Sequence, residues 1–160
     1  MSLECCYRTQ RTPNNIDKER ERMARRTAQR AAIRKVLEDT DRPMSPAEIL
    51  QASQLFVPGL GLTTVYRTVN ALVDEGWLVA VELPGEADRY ELAGKAHHHH
   101  FRCRCCGAVF NVSGCADGLG RLLPKGFEME DHAIVLYGSC NACCSNPASS
   151  PVPVESSANA

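Results

Sequence analysis

Two cysteine pairs, Cys103-x-x-Cys106 and Cys140-x-x-Cys143, carry the clearest chemistry in this chain of 160 residues. Each pair puts two thiols on one side of a turn. Two such knuckles supply the four thiolates of a tetrahedral site, which Zn²⁺ prefers in structural roles. The 33 residues between Cys106 and Cys140 exceed the gap of a common zinc ribbon and have room for a hairpin and a helix. Redox-active or merely buried thiols are the competing explanation. The paired spacing, and nine cysteines in a chain expected to be intracellular, argue for metal over a disulfide framework. Cys105 and Cys144 adjoin the pairs, so register swaps within each knuckle stay open. Cys5 and Cys6 receive no role.

The run His97-His98-His99-His100 is internal, where an engineered tag would be terminal. On an extended strand His97 and His99 face one way and His98 and His100 the other. One strand then serves two different metal sites. Imidazole suits zinc, iron and related divalent ions. His132 lies eight residues before Cys140, so a metal at the cysteines brings its strand near the histidine run. Cys115 is a further candidate ligand, since the chain returns past the first knuckle there.

A third signal is Thr63-Thr-Val-Tyr-Arg-Thr-Val69. Thr63, Thr64, Tyr66 and Arg67 lie at or near a helix N-terminus, the end that enters the major groove in helix-turn-helix readers. Arg67 suits guanine or phosphate, and the threonines suit thymine methyls or phosphate.

The elements that must position these residues follow from local signals. Asp17 to Asp39 reads as helix, being rich in helix formers and free of Gly and Pro. Ser45-Pro-Ala-Glu48 opens a second helix with a capping box and runs to about Leu55. Val57–Gly61 is a loop. Thr63 or Thr64 caps a third helix that ends near Gly76. Trp77–Leu83 and Arg89–Leu92 read as strands around a Pro84-Gly85 turn, and helices followed by such a hairpin make a winged helix. Beyond the hinge 93–96, His97–Arg104 and Ala108–Val112 read as strands. Cys115–Leu123 reads as a short helix. Phe127–Gly138 reads as a longer strand with Glu128, Glu130 and His132 on one face.

The expected fold class is therefore α+β. A winged helix-turn-helix domain over 17–92 is followed by a small metal-binding domain over 97–144. Residues 1–16 form a flexible segment, and the Ser/Pro/Ala-rich 145–160 a disordered tail.

The formal net charge of −1 conceals an asymmetry. Residues 1–40 hold ten Lys/Arg and six Asp/Glu, while the other 120 hold eight and thirteen. A basic N-terminal quarter is compatible with nucleic acid, as a balanced total is not. No run of eighteen apolar residues and no secretory h-region occur, so the expected location is cytoplasmic, without a membrane partner. Neither an HExxH nor an HxE…PCxxC arrangement is present, which argues against a zinc hydrolase or deaminase. A metal-storage or thiol-redox protein without DNA binding stays open as a class.

TTVYRTV, RYEL, HHHHFRCRCCG and HAIVLYGSCNAC, in that order between about Arg25 and Cys144, resemble the ferric uptake regulator family of metal-dependent repressors. The resemblance implies a homodimer that binds a pseudo-palindromic double-stranded DNA operator and is not an enzyme. The second domain becomes the α/β dimerisation domain, with structural Zn²⁺ at its cysteines. DNA contacts are implied for Tyr66, Arg67, Arg26 and Arg30. A hinge-side regulatory site is implied at Glu91, His98 and His100, and a second site at His97, His99 and His132. The chain departs from the family pattern in several places. Pro43 and Asn111 stand where further hinge-site ligands are expected, and Glu82 or Asp88 is available to complete that site. Leu92 stands where zinc-sensing members place a Cys. Gly118 falls where the second site has an acidic ligand, and Cys115 is near enough to replace it. A thiolate among imidazoles favours Zn²⁺ over Fe²⁺ or Mn²⁺ as the regulatory metal. A repressor that responds to iron or peroxide is the alternative.

Overall fold

The structure is a computed structural model that describes residues 15–145. The expected flexible N-terminal segment and disordered tail, with Cys5 and Cys6, lie almost wholly outside those residues.

Helix α1 spans Asn15–Thr40. Its exposed face carries the i,i+4 pairs Lys35–Asp39 at 2.8 Å and Arg34–Glu38 at 3.8 Å. Only its second half is buried, through Gln29, Ala32, Ile33, Val36 and Leu37. The basic first half therefore projects from the core. Asp41 ends the helix in the left-handed region, at φ 46°. Helix α2, Pro46–Ser53, begins as expected: Glu48 N–H donates to Ser45 Oγ, and Ser45 N–H donates to Glu48 Oε2.

Helix α3 covers Leu62–Asp74, and its N-cap is Gly61. This corrects the expected cap at Thr63 or Thr64. The Gly61 carbonyl accepts from Thr64 N at 3.0 Å and Val65 N at 3.2 Å, so both threonines already lie in the first turn. Val65, Val69 and Leu72 pack with Ile33, Leu37 and Ile49 into the main core. Burial of each such aliphatic side chain stabilises by about 1.5–3 kcal/mol.

Strands β1, Leu78–Val81, and β2, Arg89–Leu92, pair antiparallel as a wing. Met44 bridges Tyr90 and adds a short third edge. Strands β3, His98–Cys103, β4, Val109–Ser113, and β5, Val135–Gly138, form a second sheet in the order β4-β3-β5. β3 runs antiparallel to β4 and parallel to β5. Gly138 crosses close to Phe101, where a Cβ would lie 3.1 Å from the ring. A short helix α4, Asn141–Cys144, carries the second knuckle.

Two expectations fail in this half. The helix expected over Cys115–Leu123 shrinks to a 3-10 turn at Leu119–Leu122, preceded by Gly118 at φ 84°. The long strand expected from Phe127 is regular only from Val135. Residues 127–134 join no ladder among the described residues, so Glu128, Glu130 and His132 share no sheet face. A strand needs a hydrogen-bonded neighbour, and β3 reaches this segment only at its end, where His100 N donates to Ile134 O at 3.1 Å.

The two halves meet through Val81, Leu83, Val109 and Val135. Buried charge reinforces the contact. Arg89 pairs with Glu48 on α2 and donates to Gly107 O, beside the first knuckle, at 2.8 Å. Arg102 on β3 pairs with Glu86 in the wing.

Candidate metal centres and nucleic-acid interface

Three clusters of ligand-type side chains stand out, and β3 feeds all of them. In each, the ligand atoms lie within 4.8 Å of one another.

The first cluster is Cys103, Cys106, Cys140 and Cys143. Cys103 ends β3 in full burial, Cys106 follows across a turn, and α4 presents the other two. Cys106 Sγ and Cys140 Sγ are 3.8 Å apart. Burial opposes ionisation of Cys103, but N–H groups of Cys106, Cys140 and Cys105 outweigh it and bring that thiol down to about 6. Hydrogen bonding with Cys105, then Cys140, pushes Cys143 up instead. Four converging thiols with no disulfide among the described cysteines could hold a tetrahedral metal ion, the arrangement that Zn²⁺ takes in structural sites. Cys105 and Cys144 fall outside the cluster, although Cys105 touches it through Cys143.

The second cluster is Glu91, His98 and His100, where the wing meets β3. Glu91 is buried, with His98 Nε2 3.0 Å and His100 Nε2 3.5 Å from its Oε1. His98 Nδ1 is 2.8 Å from Ala96 O and can only donate there. With Nδ1 so engaged, Nε2 is the nitrogen left to face the carboxylate oxygen, where a metal ion could be shared between them. His100 Nε2 is buried without a hydrogen-bond partner. The residues therefore fit a divalent ion. Burial alone would raise the carboxyl pKa of Glu91, but Lys95 and His98 hold it below its ordinary value. Burial holds His100 below the usual histidine value, against the pull of Glu91. Neither Glu82 nor Asp88 joins this cluster, although Glu82 lines the adjoining cavity of about 300 Å³.

The third cluster is His97, His99, Cys115 and His132, on the opposite face of β3. The His97–His99, His97–His132 and His99–His132 ring centroids lie 4.7, 4.8 and 5.1 Å apart. Cys115 Sγ is 2.9 Å from His132 Nε2. Both ring nitrogens of His99 are buried and without hydrogen-bond partners. Burial, then the neighbouring imidazoles, hold His99 below the ordinary histidine value, in the neutral form that binds metal. His132 reaches the cluster from an irregular segment and not from the strand expected there.

Arg26, Arg30, Thr64, Arg67 and Thr68 line a groove of about 470 Å³ between α1 and α3. Arg30 pairs with Glu75, while Tyr66, Arg67 and Thr63 are exposed on the outer face of α3. Three guanidinium groups and threonine hydroxyls in one groove suit a phosphate backbone. Among the surrounding residues, Lys95 and Asp41 at the second cluster went unread in the sequence. Asp41 lies 50 residues before Glu91, and no local pattern announces their meeting.

A winged helix with a basic groove, joined to a sheet that gathers ligand side chains, defines a metal-binding DNA-binding protein. The chain belongs to the ferric uptake regulator family, whose model matches residues 21–137. The family's members are metal-responsive transcriptional regulators, not enzymes. They bind DNA and hold regulatory and structural metals. The chain is 31% identical over 122 residues to the ferric uptake regulation protein of Campylobacter jejuni, covering 73% of this chain and 78% of that one. It is 32% identical over 122 residues to the zinc uptake regulation protein of Mycobacterium tuberculosis, covering 74% and 94%. The ferric uptake regulator of Helicobacter pylori, whose structure is described as revealing three functional metal-binding sites, superposes with a TM-score of 0.54. That match has 26% identity and covers 79% of this chain and 91% of the other. Among the described residues no helix is long and apolar enough to cross a membrane.

Proposed function

We propose that this protein is a zinc-responsive repressor that binds a pseudo-palindromic operator as a dimer and controls genes of metal homeostasis in the cytoplasm. The observation that carries the choice of metal is Cys115 Sγ within 2.9 Å of His132 Nε2, inside a cluster of three imidazoles. A sulfur and nitrogen donor set favours Zn²⁺ over Fe²⁺ or Mn²⁺. The hinge points the same way, since Asn111 stands opposite His100 on β4 where an acidic ligand would suit iron.

Cys103, Cys106, Cys140 and Cys143 hold the structural ion. Glu91, His98 and His100 form the regulatory site, and His97, His99, His132 and Cys115 a further one. Glu91 on β2 and His98 and His100 on β3 would hold the regulatory ion, whose charge would tie the wing to the sheet. Glu91 and the two histidines thereby set how the DNA-binding half sits on the sheet. Arg67, Tyr66, Thr63 and Thr64 meet the groove, with Arg26 and Arg30 on phosphates. Dimerisation is supported by the apolar side chains left exposed on and before β5, including Phe127, Met129, Leu136 and Tyr137.

The test is equilibrium binding of Zn²⁺, Fe²⁺ and Mn²⁺ to protein whose cysteine site is already loaded, read out as operator affinity. Zn²⁺ is expected to raise that affinity at the lowest free concentration relative to its intracellular level. A response to Fe²⁺ alone, or histidine oxidation after peroxide, would assign the protein to the iron or peroxide branch instead.

A further inference from the structure

We propose that Lys95 is a specificity-determining residue of the hinge site: its ammonium holds one oxygen of Glu91 and leaves a single carboxylate oxygen for a divalent ion. This inference rests on Glu91, His98 and His100 being the regulatory ligands.

The two oxygens of Glu91 face different partners. Oε1 faces both imidazoles, at 3.0 Å from His98 Nε2 and 3.5 Å from His100 Nε2. Oε2 accepts from Lys95 Nζ at 3.0 Å. Lys95 has a second anchor, since Nζ lies 2.8 Å from Asp41 Oδ1 and donates to Asp41 O at 3.2 Å. Asn111 Nδ2 donates to that same carbonyl at 3.2 Å. The turn after α1 and strand β2 thus converge on one ammonium, and Asn111 of β4 braces the turn. The Lys95 side chain is only 19% exposed. A free surface lysine would swing aside for an incoming ion; this one must break three contacts to leave.

Two chemical consequences follow. A fixed positive charge on the ligand carboxylate weakens the binding of every dication. The loss of Oε2 then weighs unequally among metals. Zn²⁺ is satisfied by four ligands, with imidazole nitrogens and one carboxylate oxygen among them. Mn²⁺ favours oxygen-rich, six-coordinate surroundings. Asn111 offers no second carboxylate in compensation. Lys95 therefore selects against hard ions without touching the metal.

The experiment titrates Zn²⁺ and Mn²⁺, each competing with a chromophoric chelator, into full-length protein with its cysteine site loaded. In K95M and K95Q both affinities are expected to rise, with Mn²⁺ gaining about tenfold more than Zn²⁺. K95R keeps the charge and is expected to keep the wild-type preference, which separates the effect from a folding defect. If E91Q abolishes binding at this site while K95M and K95Q retain the wild-type Zn²⁺/Mn²⁺ ratio, the role of Lys95 is overturned and the site stands. If E91Q binds both metals like wild type, the hinge reading fails and the role of Lys95 falls with it.

Discussion

At Cys103, three backbone N–H groups do the work that a neighbouring cation does in other activated thiols. They bring that thiol down to about 6, whereas hydrogen bonding with Cys105 pushes Cys143 up. Cys103→Ser is expected to lose the bound zinc and the dimer, as read by metal analysis and sedimentation; an intact zinc-loaded dimer would refute the structural assignment. Arg67 is exposed on the leading turns of α3. Arg67→Ala is expected to weaken operator binding by about 1–3 kcal/mol if it reads a base, and to leave nonspecific DNA binding much less affected. Glu48 shows a third kind of residue effect. Burial opposes its charge, but hydrogen bonds from Ser45 and Arg42 hold its carboxyl below the ordinary value. A lowered folded-state pKa adds stability above the unfolded value, and that stability is lost as pH falls through the folded one. Glu48→Gln is therefore expected to cost about 1–3 kcal/mol near neutrality, with a smaller cost below about pH 4. Urea unfolding at both pH values measures the difference, and an equal cost at both would dismiss the ion pairs as its source.

At the scale of elements, the winged half was legible because its signals are local. The capping box at Ser45 and Glu48, and the Gly76 that closes α3 at φ 72°, each act within a few residues. The error at Thr63 and Thr64 is one of degree: a preferred cap residue lost to Gly61 because the α3 ladder starts earlier. The strand expected from Phe127 failed for a deeper reason. Alternating side chains state a preference, whereas a ladder requires a neighbour that only the tertiary fold supplies. The ligand clusters were legible because the extended chain from His97 through β3 obeys a period of two, which sorts His97 and His99 from His98 and His100. Lys95 and Asp41 were not, since their pairing is set by how α1 ends. The core of the winged half also gives a prediction. Ile33, fully buried on α1, is expected to lose about 2–5 kcal/mol on truncation to Ala, measured by denaturant unfolding. A loss below about 1 kcal/mol would mean that α1 is not anchored there.

At the scale of the whole molecule, a net charge of −1 is a sum of unlike parts. The basic half of α1 projects from the core, so positive charge is available locally for the proposed DNA contact. If metal at the hinge and DNA at α3 bias one arrangement of the two halves, their affinities are linked, and each tightens the other by the same factor. A coupling of about 1–3 kcal/mol is ordinary for such systems. Footprinting with and without metal, matched by metal titration with and without operator, checks the equality. Identical operator affinity in both conditions would remove the switch altogether.

Strand β3 also works as a reading frame. Side chains of His97 and His99, of His98 and His100, and the thiol of Cys103 are dealt to three destinations by counting along one backbone. Deleting a single residue between His100 and Cys103 would turn the histidines to the wrong faces or swing Cys103 off its knuckle, and could not spare both. A substitution harms one site, whereas a change of length harms at least two together. The segment 116–130, which supplies none of the clustered ligands, has no such frame to keep. Variation in length in this protein should therefore be tolerated there and be absent from β3.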